Sequence, residues 1–381
     1  MKKMHYLFNA VLALMLMPIY KKKLLKKRLL LVGGHKGDLF TDNGKEFFIF
    51  LCEQYPEEYI TYWVINSNSK DLRKVKKYNY LIRGSIKNYI YYFFSRGVFF
   101  THSIQDVAPI ISAFIKPKGK RVFLSHGIEG LKKLKLPRLN IPQNKKADLY
   151  LSISAFEKNI KVNDWNIDES KVKITGYPRY DKLIKRDKYE KVILYAPTWR
   201  EWNKGLTKEQ FRKTDYYREV MNFLQSDDLQ NMLRKNGYQL YFYVHYLFHQ
   251  FADTFNIKSD YIKLLEPNDE LQKYILNSEI FITDYSSSCW DFFYLDKPVL
   301  FYMFDQKKYE EKRGSYIDLD GQLIGEKYTS LNNLLSGISE VIRDRETYSN
   351  RFYFLKEKYY KFNDTNNCQR VLDEFKKLEV K

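Results

Sequence analysis

Three cysteines in 381 residues, Cys52, Cys289 and Cys368, are too few and too scattered for a disulfide framework or a zinc knuckle. That usage points to a reducing, cytoplasmic setting. Acid is absent from the first 37 residues, which carry nine lysines and arginines (2, 3, 21, 22, 23, 26, 27, 28 and 36) of a net charge of +19. A membrane-spanning run is also missing. Tyr6 to Tyr20 is apolar almost throughout, but a spanning helix needs about 20 such residues. Where a signal peptide would place small residues for cleavage, "KKKLLKKRLLL" follows, with six cations in its first eight positions. Residues 1–28 therefore read as a basic, amphipathic segment that lies on, or partly inserts into, the anionic inner face of a membrane. Each cation contributes roughly 1 kcal/mol near such a surface. The competing reading is a helix docked on the domain that follows.

Several nucleotide and metal motifs are absent as well. The glycine-rich turn in "VGGHKGD" is no P-loop, because G-x-x-x-x-G-K-[ST] is not there. His245 and His249 have the i, i+4 spacing of zinc ligands without the H-E-x-x-H glutamate. Asp318-Leu319-Asp320 resembles a metal-binding D-x-D, a weak signal alone, and no metal or cofactor is expected. No aromatic RNA-binding signature, zinc finger or helix-turn-helix spacing accompanies the positive charge, so nucleic acid is not the expected partner.

What is present is a chain with 44% hydrophobic residues, enough for two cores of ordinary size. "RLLLVGGHKGDLFTDNGKEFFIFLCEQ" reads as strand, turn and helix. Further strands are expected at Ile60 to Ile65, Gly97 to Thr101, Arg121 to Leu124 and Leu149 to Ser152. A second series begins at "KVILYAPTWR" and runs through "YQLYFYVH", "IKLL", "IFITDY" and "PVLFYMFD". Alternating strands and helices imply parallel sheets. The break falls near "TGYPRYDKLIKRDKYEK", giving Rossmann-like domains at 29–185 and 186–381, the second ending in polar helices.

Polar groups gather where these strands end, the edge at which open α/β sheets bind ligands. In "FITDYSSSCWDFFYLDKPVLFY" (281–302), Ser286, Ser287 and Ser288 stand between a strand and a helix, with Ser288 and Asp291 spaced as a capping box. Such a junction can hold an anion, with Asp284 bracing the loop. His126 follows a strand in "VFLSHGIEGLKKLK"; Gly127 permits positive φ or close approach, and a basic helix is expected next. A histidine there is placed to act as a general base. His245 ends a strand of the second series, Pro197 and Thr198 end another, and Arg179 lies at the domain junction, suited to bidentate phosphate contact. Singly, each of these also fits a structural role.

Their order along the chain adds to this. His-Gly, G-Y-P-R-x-D, A-P-T-W-R, a strand-end His, T-D-Y-S-S-x-x-x-D, K-P-x-x-F-Y and Y-x-x-x-R-G together resemble the CDP-glycerol glycerophosphotransferases of teichoic-acid and capsule synthesis. The resemblance runs from about Leu29 to Glu326. It implies a GT-B-like α/β fold of two Rossmann-like domains facing a central cleft, the first for the acceptor and the second for the CDP-alcohol. It also implies transfer of glycerol phosphate from CDP-glycerol to a hydroxyl of a lipid-linked glycan or growing polymer, with release of CMP, on the cytoplasmic face of a bacterial membrane. His126 and His245 then fall on catalytic positions. Gly127, Arg179, Pro197, Thr198, Ser286, Ser287 and Asp291 fall on donor-binding ones. Ser125 replaces the family's usual Trp before His-Gly, Ile128-Glu129 its Thr-Pro, and Tyr246 the Pro after the second histidine. These changes bear on substrate identity, so CDP-ribitol or a nucleotide sugar is the alternative donor. A non-catalytic membrane- or polyanion-binding protein is the alternative class.

Overall fold

The computed structural model describes residues 2–134, 146–266 and 271–380. By contact the described chain forms two compact units, one of residues 2–128, 146–182 and 358–380, the other of 129–134, 183–266 and 271–357.

The first unit is built on seven parallel strands: β1 (Leu29–Gly33), β2 (Ile60–Ile65), β3 (Tyr80–Ile82), β4 (Gly97–Phe100), β5 (Lys120–Phe123), β6 (Leu149–Ser152) and β7 (Val172–Ile174). Their order across the sheet is β3-β2-β1-β4-β5-β6-β7. β1 is buried at every position and β4 likewise. Both read as unbroken apolar runs because helices cover both faces of a parallel sheet. The chain moves outward from β1 to β3, then returns to β4 on the other side of β1. That reversal makes the β1/β4 boundary the switch point, where the first turns diverge and leave a crevice.

The second unit repeats the plan with six parallel strands: β8 (Glu190–Tyr195), β9 (Gln239–Phe242), β10 (Ile262–Leu264), β11 (Ser278–Thr283), β12 (Val299–Tyr302) and β13 (Glu326–Tyr328). The order is β10-β9-β8-β11-β12-β13, so its switch point lies between β8 and β11. Ile280↔Ile193 and Ile282↔Tyr195 set the register there. Phe281 lies against Phe292 of the helix Cys289–Tyr294, rings stacked at 4.6 Å.

The two terminal segments both pack on the first unit. The helix Lys2–Leu24 lies along Ile86–Phe94, with Asn9 Nδ2 donating to Gly84 O at 2.9 Å and Ala10 and Ala13 buried. Its other side leaves Met4 and Ile19 more than 70% exposed, with Leu7, Phe8, Val11, Leu14 and Met15 also exposed. At the other end, the helix Asn367–Val380 covers the sheet of the first unit, where Phe375 meets Phe99 at 5.0 Å over the bare Cα of Gly97. Residues 358–380 thus group with the first unit and not with 186–357, where the sequence placed them. The polar pattern marked a helix but not its partner, which depends on a gap left by a glycine some 270 residues earlier.

Candidate functional site

At the carboxyl edge of the first sheet, β5 runs out through Leu124 and Ser125 into His126. The left-handed φ at this turn falls on Ser125 (59°), whose hydroxyl donates to Gly127 O at 3.1 Å. Asn43 Nδ2 holds the loop from behind, donating to the carbonyls of Leu124 (3.1 Å) and Ser125 (3.0 Å). Arg179 completes the grip. It is buried, its Nη1 donates to His126 O at 3.1 Å, and the same nitrogen pairs with Asp42 Oδ1 at 3.0 Å. With one carboxylate and one carbonyl engaged at that nitrogen, Arg179 braces the His126 loop.

The His126 ring is exposed and stacks on His102, centroids 4.5 Å apart and planes 22° from parallel. His102 in turn meets His35 at 4.3 Å. His35, His102 and His126 leave the adjacent strands β1, β4 and β5, so the first two flank the switch point itself. Sequence reasoning passed over both, although each stands two residues beyond its strand.

The second edge carries different groups. Asp284, buried at the end of β11, accepts from Thr198 N at 2.8 Å and from Tyr285 N, and pairs with Arg200 Nη1 at 2.8 Å. Arg200 is fully buried, forks onto Asp305 at 2.7 and 2.9 Å, and donates to Thr198 O at 2.6 Å. Asp284 is therefore the brace expected of it. The Thr198 hydroxyl is buried and finds no hydrogen-bond partner among the described residues, although buried hydroxyls are nearly always satisfied.

Ser286, Ser287 and Ser288 are half-buried. The expected capping box is not formed: Ser288 has helical angles (φ −68°, ψ −17°) and no side-chain cap, and Cys289–Tyr294 is only six residues long. The Ser286 hydroxyl instead accepts from Ser288 N at 3.3 Å. Asp291 is buried within the short helix.

His245 lies beyond β9, its ring 6.1 Å from that of Trp199. Burial pulls its pKa down to about 3, and Lys132 and His249 push the same way. It is consequently a neutral hydrogen-bonding imidazole and not a cation. His249 is turned to the Val244 carbonyl at 3.0 Å.

The basic stretch after His-Gly is not a helix over its described residues; beyond Leu134 it lies outside them until Lys146. Residues 129–134 form a strap stitched to the second unit. Gly130 O accepts from Tyr316 N (2.8 Å) and Ser315 Oγ (3.0 Å), and Lys133 N donates to Gly314 O (3.0 Å). The strap carries Lys132 into the electrostatic reach of Asp284, Arg200, Arg313 and His245, and burial lowers the Lys132 pKa to about 8. Lys132 was missed because "GLKKLK" reads as a solvated basic helix.

The sequence candidates accordingly divide between the units. His126, Gly127 and Arg179 belong to the first; Pro197, Thr198, His245, Ser286, Ser287 and Asp291 belong to the second, around its switch point. Among the described residues Asp318 and Asp320 gather no further ligands. Asp318 Oδ1 accepts from Asp320 N at 2.9 Å and Asp320 pairs with Lys327. Among the described residues no group of three or more His, Cys, Asp or Glu is arranged to hold a metal ion.

Residues 15–377 match the family described as CDP-Glycerol:Poly(glycerophosphate) glycerophosphotransferase. The chain is 27% identical to the minor teichoic acid biosynthesis protein GgaB of Bacillus subtilis (strain 168), over 90% of this chain and 39% of that protein. It is 26% identical to the teichoic acid glycerol-phosphate transferase of Staphylococcus aureus (strain NCTC 8325 / PS 47), over 92% of this chain and 93% of that one. It thus spans well under half of the first relative and nearly all of the second. In fold it is similar to the wall teichoic acid polymerase TagF, with a TM-score of 0.69 at 19% identity over 100% of this chain and 97% of that one.

Proposed function

The chain belongs to the CDP-glycerol:poly(glycerophosphate) glycerophosphotransferase family, and on that footing we propose that it transfers glycerol phosphate from CDP-glycerol to a hydroxyl of a lipid-linked glycan or growing teichoic-acid-type polymer. The acceptor oxygen attacks the β-phosphorus, the bond to the α-phosphate oxygen breaks, and CMP leaves. His126, the exposed imidazole at the first edge, takes the hydroxyl proton. Transfer of this kind is chiefly a matter of position and charge. Lys132 supplies the cation for the diphosphate. Thr198, Ser286 and Ser287 supply hydroxyl donors, and His245 donates as a neutral ring. Pro197 and Gly127 shape the backbone beside these groups, and Asp291 binds a donor hydroxyl. Arg179 contributes by holding the His126 loop.

The observation that carries this reading is a buried, unsatisfied Thr198 hydroxyl beside Asp284, whose charge also acts on Lys132, a lysine whose own charge burial disfavours. Both are costly without an anion and repaid by one. The test is donor competition: CMP release from CDP-glycerol in the presence of a lipid-linked acceptor, challenged with CDP-ribitol and UDP-sugars. Preferential use of CDP-glycerol supports the assignment. Release from CDP-ribitol alone, or from no CDP-alcohol, overturns the donor or the reaction.

The N-terminal helix gives the protein a place to work. Its exposed row of Met4, Leu7, Phe8, Val11, Leu14, Met15 and Ile19 is followed directly by Lys21, Lys22 and Lys23. No helix among the described residues is long and apolar enough to cross a membrane. The helix lies in the plane of an anionic membrane surface, apolar row inward and lysines at the headgroups. Sedimentation with anionic vesicles that is lost in the Phe8→Glu/Met15→Glu protein fits this placement; equal sedimentation of both proteins contradicts it.

A further inference from the structure

The histidines at 35 and 102 have no part in the account so far, yet the first unit is shaped around them. Seven described non-glycine residues have positive φ, and four of them are at this edge: His35 (48°), Lys36 (50°), Asp42 (65°) and Ser125 (59°). Such angles strain ordinary side chains and persist only where the surroundings enforce them. At His35 and Lys36 the turn is held by Asp106, fully buried, which ties the two turns carrying His35 and His102 together. Its Oδ1 accepts from Lys36 N at 2.9 Å, and its Oδ2 accepts from the backbone N–H groups of Thr101 (3.2 Å), His102 (2.8 Å) and Ser103 (3.1 Å). Close packing finishes the job: a Cβ on Gly33 would lie 2.9 Å from Asp106 O. The His102 ring is fixed on its own account, its Nδ1 2.8 Å from Thr101 Oγ1. One face of that fixed ring meets His126 nearly parallel, and His35 tilts against it at 54°.

We propose that His102 is a positioning residue for the transfer reaction, a rigid platform backed by His35 that sets the orientation of the His126 imidazole. The proposal rests on the reading of His126 as the acceptor base. An exposed imidazole on a loop can turn about its side-chain bonds, and general-base catalysis needs its nitrogen held toward one proton. The carbonyls of Leu124, Ser125 and His126 are gripped by Asn43 and Arg179, which fixes the backbone. The His102 face limits the remaining freedom of the ring. The stacking itself needs only a flat ring at position 102; the Nδ1 contact to Thr101 adds to how firmly that ring is held.

The test compares His102→Ala with His102→Phe. His102→Ala is expected to lower kcat about 10²-fold, as misplacement of a catalytic group does, with KM for CDP-glycerol changed about two-fold or less. His102→Phe keeps the flat face and is expected to restore kcat to within about three-fold of wild type. His35→Ala, one ring further back, lowers kcat less than His102→Ala. A His102→Ala protein with wild-type kcat overturns the proposal, and so does a folded His102→Phe protein as slow as His102→Ala. A second readout does not depend on turnover. With histidine-selective labelling, the His126 ring signals, identified by their loss in His126→Ala, should lose a ring-current shift in His102→Ala and keep it in His102→Phe. Unchanged His126 signals in His102→Ala overturn the platform. If the wild-type protein transfers from no CDP-alcohol, the functional reading fails, and the ring signals still decide the platform.

Discussion

The two units arrive at their carboxyl edges by the same construction and then equip them differently. In each, three neighbouring strands around a switch point present polar residues: β1, β4 and β5 in one, β9, β8 and β11 in the other. In each, a buried arginine pairs with an aspartate and donates to the carbonyl of the residue at issue, Arg179 to His126 O and Arg200 to Thr198 O. The tips are unlike. The first edge ends in three imidazoles in contact; the second ends in a lysine, hydroxyls and one histidine kept neutral. Matching braces belong to the fold, which needs its loops held wherever the strands end. On the function proposed above, the unmatched tips carry the chemistry, a base at the first edge and anion contacts at the second.

Removing a brace should have the largest effect, and an unequal one. Arg200→Met leaves Asp284 and Asp305 without their buried partner and should cost about 3–5 kcal/mol, read as a lowered urea midpoint. Arg179→Met should cost less, because Asp42 is more exposed than Asp284 and can turn to water. Equal losses would break the distinction between a fully buried brace and a partly wetted one.

A tip should behave otherwise, changing activity with little change in stability. Lys132→Met should raise KM for CDP-glycerol about 10- to 100-fold, the value of a hydrogen bond to a charged group, with a smaller change in kcat. The pH dependence follows in sign. Burial lowers the Lys132 pKa to about 8, so the free protein loses this cation as pH rises through that value. Donor affinity should then weaken above pH 8 in the wild type, and Lys132→Met should abolish that slope. His245, already neutral down to about pH 3, should add no slope between pH 5 and 8.

The smallest effect is expected at Thr198. Thr198→Val should raise KM for CDP-glycerol about 2- to 10-fold while leaving stability unchanged or up to about 1 kcal/mol higher, because the hydroxyl lost is unsatisfied in the free protein. A stability loss instead would mean that the hydroxyl has a structural partner when no donor is bound.

How far these features could be read from sequence follows from their range. β2 and β6 fall where the apolar pattern puts them, since each is a run of four to six residues buried at most of its positions. β3, β7 and β13, each three residues long, went unread, whereas β10, no longer, is marked by the apolar run "IKLL". His126, His245, Thr198 and Ser286 stood out as strand-end polar residues beside local motifs. His35 and His102 did not, because their partnership with His126 depends on strand order and is invisible along the chain. The bracing role of Arg179 was hidden for a similar reason: Asp42, its ion-pair partner, lies 137 residues away. The apparent capping box at Ser288 failed because the amides of Cys289, Trp290 and Asp291 already donate to the carbonyls of Ser286, Ser287 and Ser288, leaving a helix of about a turn and a half.

The central claim is that base and donor contacts are separable, one to each edge. Calorimetric binding of CDP-glycerol and steady-state CMP release, measured side by side on His126→Ala, test it most directly. The account predicts a dissociation constant within about three-fold of wild type and kcat lowered by about 10²–10⁴. Undiminished CMP release, or loss of donor binding in step with turnover, would contradict it.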